Sequence, residues 1–123
     1  MPKTILVVED DPSMREGLKV TLELEGYDVA TAADGQEAIQ LLEASTPDLI
    51  IADVKMRHMD GLTLLGEVRQ NERWRHIPTI IVTAAVEPAI ESDARWRGAQ
   101  AYLTKPFELE TLLSTVSQVL NKV

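Results

Sequence analysis

The stretch Leu49-Ile50-Ile51-Ala52-Asp53 is an unbroken apolar run that ends in a carboxylate. Two further runs, Ile5-Leu6-Val7-Val8 and Ile80-Ile81-Val82, are also apolar throughout and rich in β-branched residues. Strands that are covered on both faces have this composition, because neither of their faces meets water. The three runs therefore predict central strands of a parallel sheet.

Working outward from these runs, we predict five strands, at residues 4–8, 28–31, 49–53, 79–83 and 101–104. Longer helical patterns separate these strands. The clearest helical pattern is the last, an apolar stripe at helical spacing formed by Leu109, Leu112, Leu113, Val116, Val119 and Leu120. Five strands that alternate with five helices predict an α/β fold, a (βα)5 doubly wound parallel sheet with helices on both faces.

Capping residues mark the helix boundaries. Asp11 can cap the first helix, Pro12 suits the first helical position, and Ser13-x-x-Glu16 fits a capping box. Gly26 suits the end of that helix. Two later helices are predicted to begin near Gly61 and Pro88.

Length, charge and composition restrict the class of protein. The chain has 123 residues, which predicts one domain over residues 1–123. Its net charge of −8 argues against a nucleic-acid-binding surface and against an anionic membrane as a partner. The absence of cysteine excludes a disulfide framework, a thiolate metal site and a cysteine nucleophile. The first apolar run is too short for a signal peptide, so we expect a soluble, cytoplasmic protein.

Polar residues stand at the carboxyl ends of four predicted strands: Glu9-Asp10-Asp11, Asp53, Thr83 and Lys105-Pro106. Doubly wound folds place their sites at this edge of the sheet. Carboxylates that converge there repel one another, and a hard divalent cation such as Mg²⁺ removes that cost. A metal ion and a lysine beside a carboxylate nucleophile suit phosphoryl transfer.

Each of these features, taken alone, also has a plainer interpretation. An acidic cluster after a strand is often a helix N-cap with extra charge in the first turn, and Asp53 alone could be a turn residue. Thr83 could be an ordinary strand residue, and Lys105 a solvated one. Chance agreement at four strand ends, in the order acid pair, Asp, Thr and Lys-Pro, is improbable.

The set resembles the receiver (CheY-like) domain of two-component response regulators. The matching segments are residues 5–12, 47–53 with Met56 and Met59-Asp60-Gly61, 79–84 and 98–107. The resemblance covers essentially the whole chain and implies the strand order 2-1-3-4-5. It also implies a phosphoacceptor signalling domain rather than an enzyme, with activity limited to its own phosphorylation and dephosphorylation.

The resemblance assigns the phosphoryl chemistry to particular residues. Asp53 would take the phosphoryl group from a phosphohistidine, and Glu9 and Asp10 would form the metal-binding acid pair. Asp10 would bind Mg²⁺ directly and Glu9 through water, with the backbone carbonyl of Lys55 as a further ligand. Mn²⁺ is the expected substitute metal. Asp11 fits the family as a helix cap more than as a ligand.

The resemblance assigns the remaining roles to the last two strand ends. Thr83 would bind the phosphoryl group, and Lys105 would pair with that group or with Asp53. The Lys105–Pro106 peptide bond is expected to be cis, which would aim the lysine into the site. Thr83 and Tyr102 would form the switch pair that alters the surface of the fourth helix, fifth strand and fifth helix.

The implied partners are a sensor histidine kinase or phosphotransfer protein, and a downstream protein or attached output domain. The chain fits a stand-alone receiver or a receiver from a longer regulator, as a monomer or a phosphorylation-dependent dimer. Two other classes compete. A haloacid dehalogenase-type phosphotransferase needs a second acid two residues after its nucleophile, where Lys55 stands. A degenerate receiver would act only as an interaction module, without phosphorylation.

A few residues depart from the family pattern or lie outside it. Arg57 stands where the family commonly has proline, which puts the rigidity of the loop after Asp53 in doubt. In this family, the side chains at the positions of Lys55 and Ala85 influence the access of water to the phosphoryl group. His58 and His76 are expected to be exposed loop residues without metal-ligand spacing. Trp74 is expected in packing or at the surface, and Trp96 is expected to pack at the end of the fourth helix.

Overall fold

Five strands alternate with five helices in the computed structural model, which describes residues 2–85 and 87–121. The elements are β1 Thr4–Val8, α1 Pro12–Leu24, β2 Asp28–Ala32, α2 Gly35–Ala44, β3 Leu49–Ala52, α3 Gly61–Gln70, β4 Thr79–Thr83, α4 Pro88–Trp96, β5 Ala101–Thr104 and α5 Leu109–Leu120. All strand pairs are parallel, and the order across the sheet is β2-β1-β3-β4-β5. The predicted (βα)5 fold and its strand order 2-1-3-4-5 are confirmed.

The hydrophobic core lies on both faces of the sheet, as the continuous apolar runs predict. One cluster packs Leu6, Val8 and Ile50 of the sheet with residues of α2, α3 and α4. The other packs Ile5, Val7 and Ile51 of the sheet with residues of α1 and α5. Alternate residues of one strand thus serve opposite layers, because successive side chains of a strand point to opposite faces. The sheet is therefore covered by helices on both faces.

The helix starts agree with the predictions, with one correction at α1. The helix begins at Pro12, so Ser13 lies inside its first turn and cannot be the cap of a capping box. Instead the Asp11 carboxylate accepts a hydrogen bond from the Ser13 backbone N–H at 3.0 Å. Gly26 follows the helix with a φ of 96°, a left-handed conformation that glycine adopts without strain.

Trp96 corrects another expectation. It does not pack at the end of α4, since 89% of the residue is exposed, whereas Trp74 is buried. Position on the helix explains the exposure of Trp96, because Ala94 occupies the buried face of this short helix and Trp96 follows on the opposite face. No helix within residues 2–85 and 87–121 combines the length and apolar character needed to cross a membrane.

Candidate functional site

The carboxyl edge of the sheet brings the predicted strand-end residues together. β1 and β3 pair with Val8 opposite Ala52, so Glu9 and Asp53 follow side by side. The strand β3 ends one residue earlier than predicted, yet the Asp53 backbone N–H still donates to the Val8 carbonyl at 3.1 Å. That bond fixes the backbone from which the Asp53 side chain extends.

Lys105 is the centre of the site. Its ammonium Nζ lies 2.8 Å from Asp53 Oδ2 and 2.5 Å from Glu9 Oε1, so one cation joins two carboxylates. Its backbone N–H donates to the Thr83 carbonyl at 2.8 Å, which ties it to the end of β4. The Lys105–Pro106 peptide bond is cis. The residues following β1, β3 and β5 therefore meet at one point, beside the last residue of β4.

Burial and charge oppose each other at this site. Glu9 is 3% exposed and Asp53 is 8% exposed. Burial raises the pKa of Glu9, and the hydrogen bond from Lys105 only partly offsets this. Burial lowers the pKa of Lys105, but its hydrogen bonds to Asp53 and Glu9 outweigh burial, and its pKa is raised. The ammonium is therefore firmly charged. The carboxyl groups of Glu9, Asp53 and the half-buried Asp10 outnumber it, so the site keeps an excess of negative charge.

The second oxygen of each carboxylate is held by a backbone amide. The Lys55 N–H donates to Asp53 Oδ1 at 3.3 Å, and the Asp11 N–H donates to Glu9 Oε2 at 3.2 Å. Arg15 adds a restraint that sequence reasoning missed, because its guanidinium donates to the Glu9 backbone carbonyl at 2.8 Å. The loop after β1 is therefore fixed from α1 as well as from the sheet.

The predicted metal ligands suit a hard cation by their chemistry. Glu9, Asp10, Asp53 and the Lys55 carbonyl offer oxygen atoms only, and their uncompensated charge favours a divalent cation. Among residues 2–85 and 87–121, no three His, Cys, Asp or Glu side chains are grouped closely enough to hold a metal ion by themselves. Mg²⁺ usually binds one or two carboxylates and keeps several waters, so the residues present fit an open magnesium site rather than a closed cage.

Thr83 and Tyr102 meet at a residue that sequence reasoning did not assign to the switch. The Ala85 backbone N–H donates to the Thr83 hydroxyl at 3.2 Å, and the Tyr102 hydroxyl donates to the Ala85 carbonyl at 3.1 Å. Tyr102 is partly buried against the core, and burial is the first cause of its raised pKa, followed by the charges of Glu91 and Glu87. The backbone of Ala85 thus links the site to β5.

The loop between β3 and α3 contains two contacts that the sequence did not indicate. His58 is exposed as predicted, yet its Nδ1 lies 2.7 Å from Asp34 Oδ2. The next residue, Met59, accepts a hydrogen bond from the Gly35 N–H at 3.2 Å. His76 is exposed, also as predicted. The one departure visible in the sequence near this loop was Arg57 in place of proline.

Comparison with known proteins agrees with this geometry. A family model described as the response regulator receiver domain matches residues 5–117. The DNA-binding dual master transcriptional regulator RpaA of Synechocystis is 36% identical over 122 residues, which make up 99% of this chain and 50% of that protein. The chain spans between half and three fifths of the length of the first curated relatives it matches.

Solved structures give the same result. Chemotaxis protein CheY4 of Vibrio cholerae superposes with a TM-score of 0.91 at 35% identity, covering 97% of this chain and 99% of that one. The receiver domain of sensor histidine kinase PA1611 from Pseudomonas aeruginosa, which has a magnesium ion coordinated in its active site cleft, superposes with a TM-score of 0.90 at 29% identity. That alignment covers 99% of this chain and 100% of that one.

Proposed function

The chain belongs to the response regulator receiver domain family, and on that premise we propose that Asp53 accepts a phosphoryl group in a Mg²⁺-dependent reaction. The observation that carries the proposal is the Lys105 ammonium, 2.8 Å from Asp53 and 2.5 Å from Glu9. A carboxylate nucleophile beside a fixed cation has the charge arrangement that phosphoryl transfer requires, because negative charge gathers on the oxygens of the transferring group. Members of this family are signalling domains and not typical enzymes.

In the proposed reaction, a carboxylate oxygen of Asp53 attacks the phosphorus of a phosphohistidine on a partner kinase or phosphotransfer protein. The new O–P bond forms as the P–N bond breaks, and the imidazole leaves with the electron pair of that bond. The product is an acyl phosphate on Asp53. Lys105 offers its ammonium to the oxygens of the transferring group, and the hydroxyl of Thr83 would donate to one of them.

Bound Mg²⁺ would neutralise charge on the phosphoryl oxygens. The residues proposed to hold it are Asp10 and Asp53 directly, Glu9 through water, and Lys55 through its backbone carbonyl. The magnesium ion reported for the Pseudomonas receiver domain supports this choice of metal. We propose that Mn²⁺ substitutes for it, because both ions accept carboxylate and carbonyl oxygen ligands.

The proposed output is a change in the surface formed by α4, β5 and α5. If the phosphoryl group draws the Thr83 side chain towards it, the hydroxyl would leave the Ala85 N–H, and Tyr102 is bound to the carbonyl of that same residue. A local charge event would thereby bias a two-state element. We propose that a downstream protein or output domain reads this surface, with the chain acting in the cytoplasm as a monomer or phosphorylation-dependent dimer.

The competing classes make different predictions. The dehalogenase-type alternative loses its support because the family is assigned and because Lys55 stands where that class needs an acid. An interaction module without phosphorylation shares the fold, so only chemistry separates it from the proposed receiver.

The charge of −8 also leads us to propose that the chain does not itself bind nucleic acid or an anionic membrane.

We expect one phosphoryl adduct on the intact protein after incubation with acetyl phosphate and Mg²⁺, detected by mass spectrometry. The adduct should be lost without Mg²⁺ and in Asp53→Ala, because the metal and the nucleophile are then missing. Asp48→Ala is the matched control, since Asp48 is exposed at the opposite end of β3 and should leave the adduct unchanged. If no adduct forms with acetyl phosphate or a phosphorylated kinase, the domain is an interaction module.

The switch is tested separately by amide NMR on the phosphorylated chain. We expect phosphorylation to shift the signals of Ala85, Tyr102 and α4, and we expect Thr83→Ala to accept the phosphoryl group while losing most of those shifts. Thr79→Ala is the control, because Thr79 is equally buried but lies at the other end of β4. Shifts of parent size in Thr83→Ala would show that the signal does not pass through this hydroxyl.

A further inference from the structure

The loop that follows Asp53 contains a backbone conformation that costs free energy. His58 has a φ of 65° and is the one non-glycine residue within residues 2–85 and 87–121 with a positive φ. A side chain in this left-handed region costs about 1–2 kcal/mol, so surrounding contacts must hold it. Its neighbours therefore show what the conformation achieves.

The His58 side chain contacts the beginning of α2. Its Nδ1 lies 2.7 Å from Asp34 Oδ2, and Nδ1 must carry the proton because an ionised carboxylate only accepts hydrogen bonds. The adjacent backbone makes a second link, in which the Gly35 N–H donates to the Met59 carbonyl at 3.2 Å. A Cβ atom at Gly35 would lie 2.7 Å from Met59, so the two loops are in direct contact.

Asp34 is itself fixed in place. Its other oxygen, Oδ1, accepts the Glu37 N–H at 2.9 Å and caps α2. That backbone bond, followed by the bond to His58, lowers the pKa of the Asp34 carboxyl, which is therefore firmly ionised at neutral pH. Only 16% of the Asp34 side chain is exposed. The β3–α3 loop is thus attached to a rigid point of the fold rather than to a mobile surface group.

The other end of the loop touches the proposed phosphorylation site. The Lys55 N–H donates to Asp53 Oδ1 at 3.3 Å, and the carbonyl of the same residue is the proposed metal ligand. Proline, which would fix φ near the middle of this loop, is replaced by Arg57. The His58–Asp34 pair therefore supplies a restraint where the chain lacks a rigid residue.

We propose that His58 is a positioning residue for the divalent cation, acting through its hydrogen bond to Asp34 to hold the loop that presents the Lys55 carbonyl. This inference rests on the proposed function, because it concerns the same metal site. Its consequence is specific. Loss of the bond should weaken the affinity for Mg²⁺ while leaving the phosphoryl chemistry of the loaded site nearly unchanged.

Two substitutions separate the hydrogen bond from the backbone strain. His58→Gly removes the side chain but accepts a positive φ without cost. His58→Asn also tolerates this conformation, and its amide nitrogen can occupy the position of Nδ1 and donate to Asp34. His76→Asn is the control, because His76 is an exposed histidine near the amino-terminal end of β4.

Binding of Mg²⁺ to the unphosphorylated chain, followed by amide NMR, is the primary measurement. We expect the half-saturating Mg²⁺ concentration to rise about fivefold in His58→Gly and to stay near the parent value in His58→Asn and His76→Asn. Hydrogen exchange of the Gly35 amide should accelerate in His58→Gly alone. With acetyl phosphate, the adduct should form at a rate within about twofold of the parent at saturating Mg²⁺.

The outcomes distinguish this inference from the proposed function. An unchanged Mg²⁺ half-saturation in His58→Gly would overturn the positioning role, whatever the parent does with acetyl phosphate. A raised half-saturation in a chain that forms no adduct would support the positioning role and remove the phosphoacceptor function. Equal weakening in His58→Asn would also contradict the inference, because the restored hydrogen bond should restore the affinity.

Discussion

Substitution of Gly61 by alanine is expected to lower the free energy of unfolding by about 2–3 kcal/mol and to distort the site. A Cβ atom at Gly61 would collide with the backbone carbonyl of Asp53 and approach the Val54 Cα within 3.1 Å. These neighbours are backbone atoms of a buried segment, so no side chain can rotate to relieve the contact. The Gly61 N–H also donates to the Val54 carbonyl at 2.8 Å, and that bond would lengthen.

Gly17 provides a matched control within the same chain. It lies in the middle of α1, it is exposed, and a Cβ atom there would meet nothing within 4 Å. Alanine at this position should raise the free energy of unfolding by about 0.5–1 kcal/mol, because glycine costs conformational entropy in a helix. Chemical denaturation of the two variants should give changes of opposite sign. A stable Gly61→Ala variant would show that α3 can move away from Asp53.

Most of the fold could be predicted because its determinants are local. The apolar runs, Asp11, Gly61 and Pro88 each act within a few residues of themselves. The elements they predict are present, with strand boundaries that differ by at most one residue. Strand order was different in kind, because local patterns do not say which strands are neighbours. It followed from resemblance to a known family and was then confirmed.

The contents of the site were predictable for a related reason. Parallel strands direct their carboxyl ends to one edge, so Glu9, Asp53 and Lys105 were expected at the same edge of the sheet. The pairing of Lys105 with Asp53 was expected from the resemblance, whereas the pairing of Lys105 with Glu9 was not. The sharing of one ammonium by two carboxylates depends on side-chain reach in three dimensions.

The missed contacts all join residues that are distant in the chain or involve backbone atoms. The His58–Asp34 bond spans 24 positions, and the Tyr102–Ala85 bond ends on a carbonyl that any residue would provide. The exposure of Trp96 was missed because the sequence left open which face of a nine-residue helix is buried. Such features depend on tertiary geometry, which local periodicity does not encode.

Replacement of Lys105 by methionine is expected to slow phosphorylation of Asp53 by about a hundredfold and to destabilise the domain at neutral pH. Methionine keeps the length and apolar stem of lysine but removes the charge that lies beside Asp53 and Glu9. Breaking a buried ion pair typically costs about 3–5 kcal/mol, and we expect about 2 kcal/mol here because a carboxyl can take up a proton and Lys105 is 16% exposed.

The pH dependence gives this prediction its sign. In the parent chain the pKa of Lys105 is raised, so its stabilisation is complete below the ordinary lysine value of 10.5 and is lost only as the pH rises above it. In Lys105→Met burial still raises the pKa of Glu9, and the hydrogen bond from Lys105 that partly offsets burial is gone, so the folded state binds a proton more readily than the unfolded state. The variant should therefore regain stability as the pH falls from neutral towards the ordinary glutamate value of 4.5.

Chemical denaturation of Lys105→Met and of the parent across this pH range is the measurement, repeated with Mg²⁺. The cation should restore part of the lost stability, because binding to the folded state alone stabilises it and the variant has the greater uncompensated charge. Lys19→Met is the control, since Lys19 forms only a solvent-accessible pair with Glu23 and should change stability by about 0.5 kcal/mol or less. A Lys105→Met deficit that stays constant with pH would mean that the lysine acts by packing, and that the two carboxylates are not coupled through its charge.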